Sequence, residues 1–323
     1  MQVGFHASHE QFTPGRLLDL VVRAEEAGFD AAMCSDHLTP WSEEGTESGF
    51  AWTWLGAVAA RTQLPLGVVT APGDRYHPAI TAQAIATVAD LAAGGFAPAL
   101  GSGQAMNEHV TGRPWPPKAE RNARLAECAD VIRRLLAGET VDHDGLVTVR
   151  QAKLYTLPEV PPPLFAAALS PESARDVAAW ADGLITVLAP EPKLRALMAA
   201  FADGGGAGKP VYVQMHLSWA DTEEEARSRA LESWRCNSLP PILAENLDLP
   251  VQFDAAAAHV PFEQVSGTVL VSADLGRYVD ELGRLAELGV ERVMLHQVGP
   301  AQEEFVDTFG EQVLPRVGGR AGL

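Results

Sequence analysis

A carboxylate, an imidazole and an indole lie close together near the start of the chain. Asp36, His37 and Trp41 follow a short apolar run, residues 31–34, that is typical of a buried strand. In parallel α/β proteins the carboxyl ends of strands carry functional side chains, because the loops there converge on one mouth. Imidazole exchanges protons near neutral pH. The stretch therefore indicates either an acid–base site or a hydrogen-bonded loop.

Histidines recur at the ends of other predicted strands. His6, His216 and His296 each lie at or near such an end, although any one of them is more typical of a structural residue than of a catalytic one. Asp36, His37, His216 and His296 could together form the metal site of a hydrolase. The first strand lacks an HxH pair and no barrel lysine stands out, so we expect no metal.

The fourth predicted strand ends in a glycine-rich segment, residues 101–107. A dinucleotide-binding fingerprint would need a third glycine where Met106 stands, and a nucleophile elbow would need glycine at Leu100. Both are therefore excluded. Small residues at a strand exit let a flat ligand approach the backbone, and Asn107 can donate and accept hydrogen bonds. A tight turn imposed by barrel curvature would look the same.

Alternating strands and helices must position these residues. Predicted strands begin near residues 3, 31, 64, 96, 164, 183, 211 and 292. Predicted helices cover 14–28, 51–60, 79–91, 119–137, 171–180, 193–201, 223–234 and 275–288, with a last helix starting near 302. Eight such alternations in 323 residues favour a (β/α)8 TIM barrel over a doubly wound sheet.

Two stretches fall outside the repeat. A predicted hairpin over 141–154 lies in an insertion of about 138–160 after the fourth strand, and a proline-spaced insertion of about 237–266 follows the seventh strand. No linker separates them from the rest. We therefore expect one domain over residues 1–323.

Composition narrows the possible partners. The net charge of −18 argues against nucleic-acid binding, which needs clustered lysine and arginine. No leader sequence and no apolar stretch of membrane-spanning length is present, so we expect a cytoplasmic protein without a membrane partner. Cys34, Cys128 and Cys236 lie far apart, which is typical of reduced, buried thiols and not of a zinc site.

Several short motifs together resemble the luciferase-like (bacterial-luciferase-like) flavin and deazaflavin oxidoreductases. They lie at residues 4–8 with 10–12, 35–37 with 40–41, 75–76 with 78–79, 101–103 with 105, 107–108 and 111–112, 181–183, and 295–296 with 299, 302 and 305. Within the family the chain is similar to the F420-dependent glucose-6-phosphate dehydrogenases and closer still to a sister clade that uses FMN. The resemblance implies a (β/α)8 barrel, hydride transfer, FMN ahead of F420 as cofactor, and a homodimer.

The resemblance also implies where the cofactor lies. Its ring is expected over Val68 and Val69 on the third strand, where the family has a bulge, often with a non-prolyl cis peptide. The other residues expected to bind the cofactor are Asp36, His37, Gly103, Asn107 and Ser170.

Three residues are expected to act in catalysis by the same resemblance. His37 would take the hydroxyl proton of a substrate, and Trp41 would form a wall of the substrate pocket. Gln104 stands where the sugar-phosphate enzymes have a glutamate. Its amide can donate a hydrogen bond to the N1 side of the cofactor ring but cannot transfer a proton.

Departures from the family pattern bear on the substrate. Two lysines and a threonine that hold the sugar phosphate fall here on Pro190, Ala255 and Val187, which removes charge-assisted hydrogen bonds. We therefore expect a small, non-phosphorylated substrate, and not a glucose-6-phosphate dehydrogenase. The phosphate-binding glycine pair of the deazaflavin enzymes is replaced by Leu169 and Ser170, which favours FMN. Ser170 can still bind a phosphate at a helix start.

Two other functions fit the same residues. Luciferase relatives use reduced FMN and oxygen, so a flavin-dependent monooxygenase is the first alternative. A barrel that binds flavin or deazaflavin without catalysis is the second, and the exchange of a glutamate for Gln104 favours it.

Overall fold

A computed structural model describes residues 1–45 and 47–317. Its strands are β1 (Gln2–Ala7), β2 (Ala31–Ser35), β3 (Leu66–Thr70), β4 (Phe96–Leu100), β5 (Val141–Asp144), β6 (Thr148–Ala152), β7 (Phe165–Ala167), β8 (Gly183–Val187), β9 (Val211–Trp219), β10 (Leu270–Ser272) and β11 (Arg292–Gln297). Eight of them pair in parallel in the order β1, β2, β3, β4, β7, β8, β9, β11, and β11 pairs back with β1. The predicted TIM barrel is confirmed.

Helices follow the barrel strands and cover the outside of the barrel. They are α1 (Pro14–Glu26), α2 (Ala51–Ala59), α3 (Pro78–Leu91), α4 (Ala105–Glu108), α5 (Lys118–Leu136), α6 (Pro171–Val177), α7 (Glu191–Phe201), α8 (Glu223–Trp234), α9 (Pro241–Ala244), α10 (Pro250–Ala257), α11 (Phe262–Val265), α12 (Leu275–Glu287), α13 (Gln302–Gln312) and α14 (Leu314–Val317). In α1 the Thr13 hydroxyl accepts from the Arg16 backbone N–H, and Pro14 occupies the first turn.

Side chains alternate along each strand between the barrel interior and the helix layer. The interior core includes Met33, Ala99, Phe165, Ile185 and Met294. The Phe165 ring stacks on Tyr212 at 4.5 Å between centroids. A Cβ on Gly183 would lie 2.3 Å from the Phe165 ring, so only glycine fits at that position. Because the interior is filled, a ligand site must lie at an end of the barrel.

The first insertion is the predicted hairpin. Strands β5 and β6 pair antiparallel, and the His143 Nε2 atom lies 2.8 Å from a carboxylate oxygen of Glu127 on α5. This contact fastens the hairpin to the helix layer, away from the barrel mouth.

The second insertion is more regular than expected. Residues 237–266 include the short helices α9, α10 and α11. Phe253 and Ala257 of α10 pack with Met106 of α4 and with Trp41. Asp254 accepts hydrogen bonds from the Ser42 hydroxyl and from a neighbouring backbone N–H. The insertion therefore covers one side of the barrel mouth.

The expected distortion of the third barrel strand is wrong. All peptide bonds in residues 1–45 and 47–317 are trans. Strand β3 pairs in continuous register with β2 from Leu66 to Val69 and with β4 from Leu66 to Thr70. Consecutive pairing on both edges leaves no room for the extra residue that a bulge needs. Within the same described ranges, no helix is both long enough and apolar enough to cross a membrane.

Candidate active site

The barrel mouth, defined as the C-terminal ends of the barrel strands with the loops that follow, gathers most of the predicted site residues. They include His6, Asp36, His37, Trp41, Gln104, Asn107, His216 and His296. The structure assigns them different tasks.

A buried carboxylate that the sequence analysis did not single out holds His37. Glu10 Oε1 lies 3.3 Å from His37 Nδ1. The hydroxyls of Ser8 and Ser35 donate hydrogen bonds to the Glu10 carboxylate at 2.6 and 2.9 Å. His37 Nε2 has no hydrogen-bond partner among the described residues, and 16% of the His37 side chain is exposed. The imidazole thus has one nitrogen facing a carboxylate and the other free for a ligand.

Glu10 is ionised despite its burial. Burial alone would raise the pKa of the Glu10 carboxyl, but the neighbouring His37 and the hydrogen bond from Ser8 outweigh it and lower that pKa below its usual range. An ionised carboxylate beside Nδ1 favours an imidazole with its proton on Nδ1. His37 Nε2 is then unprotonated and can accept a proton from a ligand.

Asp36 is held by three neighbouring side chains. Thr70 Oγ1 donates to one Asp36 carboxylate oxygen at 2.7 Å, and the Tyr76 hydroxyl donates to the other at 3.0 Å. The Arg75 guanidinium lies 3.3 Å from the second oxygen and also donates to the Asp36 carbonyl. Both carboxylate oxygens are therefore engaged with protein groups. The cofactor contact of Asp36 stays a prediction. Neither carboxylate oxygen is without a protein partner.

Asn107 and Gln104 support the loop that carries His37. Asn107 Oδ1 accepts from the Leu38 backbone N–H at 2.8 Å, and its amide group donates to Gln104 Oε1 at 3.4 Å. The Gln104 amide nitrogen has no partner among the described residues, so it is free to donate to a ligand. Gly103 adopts a φ of +84°, which favours glycine, and its carbonyl accepts from Arg121.

Small inward-facing side chains form a flat patch on one side of the mouth. Val69 and Ala167 belong to the interior of the barrel, and a Cβ on Gly101 would meet nothing nearer than 3.8 Å. Small residues at these strand ends let a ligand approach the backbone. Val68 instead packs toward the helices, so only its backbone can face a ligand at the mouth. Ser170 caps α6 by accepting from the Ser173 backbone N–H.

Three histidines occupy the opposite side of the mouth in neutral form. His216 Nδ1 lies 2.9 Å from His296 Nδ1, and the rings of His6 and His296 are 4.6 Å apart. Burial lowers the pKa of His6 to about 4, that of His216 to about 3, and that of His296 well below its usual value. In the described part of the chain, no group of three or more His, Cys, Asp or Glu side chains is arranged to hold a metal ion.

These features define a class: a (β/α)8 barrel with a carboxylate–imidazole pair and a flat, small-residue patch at the carboxyl ends of its strands. Residues 1–292 match the family model described as luciferase-like monooxygenase. The chain belongs to this family. The predicted resemblance to the luciferase-like flavin and deazaflavin oxidoreductases is therefore confirmed.

Similar proteins cover almost the whole chain. An F420-dependent glucose-6-phosphate dehydrogenase of Nakamurella multipartita is 35% identical over 328 residues, covering 98% of this chain and 96% of that protein. A protein of the same description from Beutenbergia cavernae is 35% identical over 331 residues, covering 99% and 98%. The solved structure of an F420-dependent secondary alcohol dehydrogenase with an F420–acetone adduct aligns with a TM-score of 0.90 and 28% identity, over 98% of this chain and 99% of that one.

The exclusion of a glucose-6-phosphate dehydrogenase is wrong, because relatives of that name match the chain at 35% identity over nearly its full length. The exclusion rested on the residues at three positions. Two of these, Pro190 and Ala255, are exposed in the structure. Backbone N–H groups and hydroxyls also hold phosphates, so the loss of lysines does not exclude the substrate. The preference for FMN over F420 is not confirmed either.

The neutral histidines make stability depend on pH. The unfolded chain takes up a proton at His6 near its usual pKa, whereas the folded protein does so only near pH 4. The unfolded state therefore binds more protons between about pH 6.5 and 4, and stability falls as the pH is lowered through that window. His6 alone should lower the free energy of unfolding by about 2 kcal/mol between pH 7.5 and pH 5.

Urea unfolding at the two pH values checks this expectation. A His6→Phe variant should show a pH dependence smaller by about 2 kcal/mol. The matched control is His259→Ala, at an exposed histidine, which should keep the wild-type pH dependence. An unchanged pH dependence in His6→Phe would contradict the assignment of His6 as a neutral buried group.

Proposed function

We propose that the protein is an F420-dependent dehydrogenase that oxidises a hydroxyl group of its substrate to a carbonyl. The observation that carries the proposal is the Glu10–His37 pair, in which a buried carboxylate faces Nδ1 while Nε2 is free at the mouth. The relatives whose names combine F420 with the oxidation of an alcohol or a sugar support this assignment.

The proton chemistry follows from the pair. A carbinol carbon gives up hydride readily only as its O–H proton leaves, since the electron pair of that bond forms the new carbonyl. His37 Nε2 accepts the proton. The ionised Glu10 carboxylate, 3.3 Å from Nδ1, stabilises the imidazolium that forms. When bound, F420 would supply the acceptor for the hydride.

Several residues of this chain would hold the cofactor. The patch of Val69, Gly101 and Ala167 accommodates a planar ring, and the Gln104 amide nitrogen can donate to it. Ser170, at the start of α6, remains a predicted contact for an anionic part of the cofactor. Gly103 and Asn107 would contribute indirectly. Asn107 accepts from the backbone of the loop that carries His37, and the Gly103 carbonyl accepts from Arg121.

Trp41 separates the site from solvent. Its ring lies 5.4 Å from the His37 ring and packs edge-to-face on Phe253 of the second insertion at 5.2 Å. A wall of this kind excludes water, which strengthens the electrostatic interactions within the site. It is also the surface against which the apolar part of a substrate would lie.

An FMN-dependent monooxygenase is the second candidate. The family model carries that description, and the Gln104 amide serves a flavin as well as a deazaflavin. The two candidates differ in the cofactor and in the use of oxygen, so one set of measurements separates them.

Titration of the apoprotein with F420 and with FMN tests the cofactor. Binding at the mouth should quench the fluorescence of Trp41, which lies beside His37. We expect F420 to do so at a lower concentration than FMN. Reduction of bound F420 by glucose 6-phosphate or by propan-2-ol would support the dehydrogenase. Tight binding of FMN alone, with oxygen consumption by the reduced flavin, would instead support the monooxygenase. Binding of F420 without turnover of any alcohol would indicate a non-catalytic carrier.

Two variants test the acid–base pair. His37→Ala should leave cofactor affinity within about threefold and lower kcat by about two to four orders of magnitude, because the proton acceptor is lost. Glu10→Gln keeps the shape and the hydrogen bonds from Ser8 and Ser35 but removes the charge. It should lower kcat by less than His37→Ala does, because the proton acceptor remains and only the charge that stabilises the imidazolium is lost. His143→Ala, in the hairpin, is the control and should retain wild-type kcat. Unchanged kcat in His37→Ala would end the proposal.

We also propose that the protein is a homodimer through the face of α2 and α3. Phe50, Ile80 and Leu91 are 54%, 57% and 50% exposed and line one apolar groove there. Exposed apolar side chains gathered on one face are typical of an interface. An Ile80→Asp/Leu91→Asp variant should be monomeric in light scattering after size exclusion at concentrations where the wild type is dimeric. Tyr155→Asp, at a 91% exposed aromatic residue of another surface, should remain dimeric. A dimer in both variants would refute this interface.

A further inference from the structure

A chain of three side chains crosses the side of the mouth opposite the flat patch. The Gln11 amide nitrogen donates to the Val298 carbonyl at 2.6 Å and lies 3.4 Å from the Gln297 carbonyl. Gln11 Oε1 lies 3.0 Å from His296 Nε2. His296 Nδ1 in turn lies 2.9 Å from His216 Nδ1.

Two backbone carbonyls and the burial of His296 determine which nitrogens in this chain carry a proton. Because the Gln11 amide nitrogen faces carbonyls, its oxygen faces His296 and can only accept, so His296 Nε2 carries the proton. His296 is neutral, since burial lowers its pKa well below the usual value, so its Nδ1 is a bare acceptor. His216 must then donate from Nδ1, which leaves His216 Nε2 without a proton.

His216 Nε2 is available to a ligand. It has no hydrogen-bond partner among the described residues. Unlike His6 Nδ1, which is unpartnered and fully buried, His216 Nε2 is not enclosed by protein. The His216 ring packs on Trp234 at 4.4 Å between centroids, which fixes its plane. His216 and His296 are direct partners in the β9–β11 register near the C-terminal ends of both strands. The free nitrogen therefore belongs to the mouth.

We propose that His216 Nε2 is a preset hydrogen-bond acceptor for a second hydroxyl of the substrate, distinct from the hydroxyl that is oxidised. The inference rests on the proposed function, in which His37 takes the proton of the reacting hydroxyl. In the barrel, β2 and β9 are separated by β1 and β11, so the two imidazoles face the mouth from different sides. The site would then select polyhydroxylated substrates over simple alcohols.

His216 is suited to recognition and not to proton transfer. Its pKa of about 3 keeps it neutral at working pH, so it cannot hold a substrate proton as a base would. A neutral acceptor whose tautomer is fixed beforehand requires no reorganisation when the substrate binds. A substrate without the second hydroxyl would leave that acceptor without its partner.

Nitrogen-15 NMR of histidine-labelled protein tests the tautomers without any substrate. The wild type should show His216 as the Nδ1–H form and His296 as the Nε2–H form at pH 7.5, with signals assigned from His216→Phe and His296→Phe variants. In Gln11→Leu, His296 and His216 should each become a mixture of the Nδ1–H and Nε2–H forms. The matched control is Gln302→Leu, since buried Gln302 donates to the Gln297 and Gly299 carbonyls but does not contact His296. An Nε2–H form of His216 in the wild type would overturn the inference.

Kinetics with F420 then test the selectivity. Propan-2-ol and propane-1,2-diol share a secondary carbinol and differ by one hydroxyl. His216→Phe should lower kcat/KM for the diol by about 10- to 100-fold and change it for propan-2-ol by less than about threefold. Equal loss for both alcohols would overturn the role of His216 in selecting a second hydroxyl. If neither alcohol nor glucose 6-phosphate reduces F420 in the wild type, the proposed function fails, and the NMR tautomers decide on the acceptor independently.

Discussion

Burying the Glu10 carboxylate is the costly step on which the site depends. An isolated buried charge would neutralise instead of remaining ionised. Two serine hydroxyls and the His37 imidazole compensate it, and each comes from the end of β1 or β2 or from the residues directly after them. The parallel register of these two strands, with Ala7 opposite Cys34, brings Ser8 and Ser35 to the same level. A site of this kind needs the barrel because only adjacent strand ends bring these donors together.

The adjacent carboxylates of the mouth divide their tasks by environment. Asp36 is surrounded by Thr70, Arg75 and Tyr76, which engage both oxygens and fasten the end of β2 to β3 and the following loop. Glu10 has hydroxyl partners and leaves one oxygen directed at an imidazole. The first arrangement resists motion, and the second leaves room for a proton to be exchanged. A rigidly held strand end beside the carboxylate–imidazole pair keeps that pair in place before a ligand binds, as preorganised catalysis requires.

Local pattern predicted the fold and placed His37 at a strand end, but it did not show which residue faces His37. Strand and helix periodicity along the chain predicted all eight barrel strands, because each period reflects burial on one or both faces. Glu10 stands 27 residues before His37 in the sequence, and nothing local shows that the two meet. The Gln11–His296–His216 chain spans nearly the whole sequence, so the tautomers follow only from the closed barrel. The wrong exclusion of a glucose-6-phosphate dehydrogenase has the same origin. Three single positions do not show which backbone groups and hydroxyls surround them in the fold.

Histidine serves two opposite purposes within one mouth, and the surroundings decide which. His37 lies beside the ionised Glu10 carboxylate, and its Nε2 atom has no partner among the described residues. His6, His216 and His296 lie beside one another and are buried, so each disfavours a charge on the next. Burial therefore keeps these three imidazoles neutral at neutral pH and makes them poor proton acceptors. In the proposed function, proton transfer therefore takes place at His37, and the opposite side of the mouth recognises neutral groups.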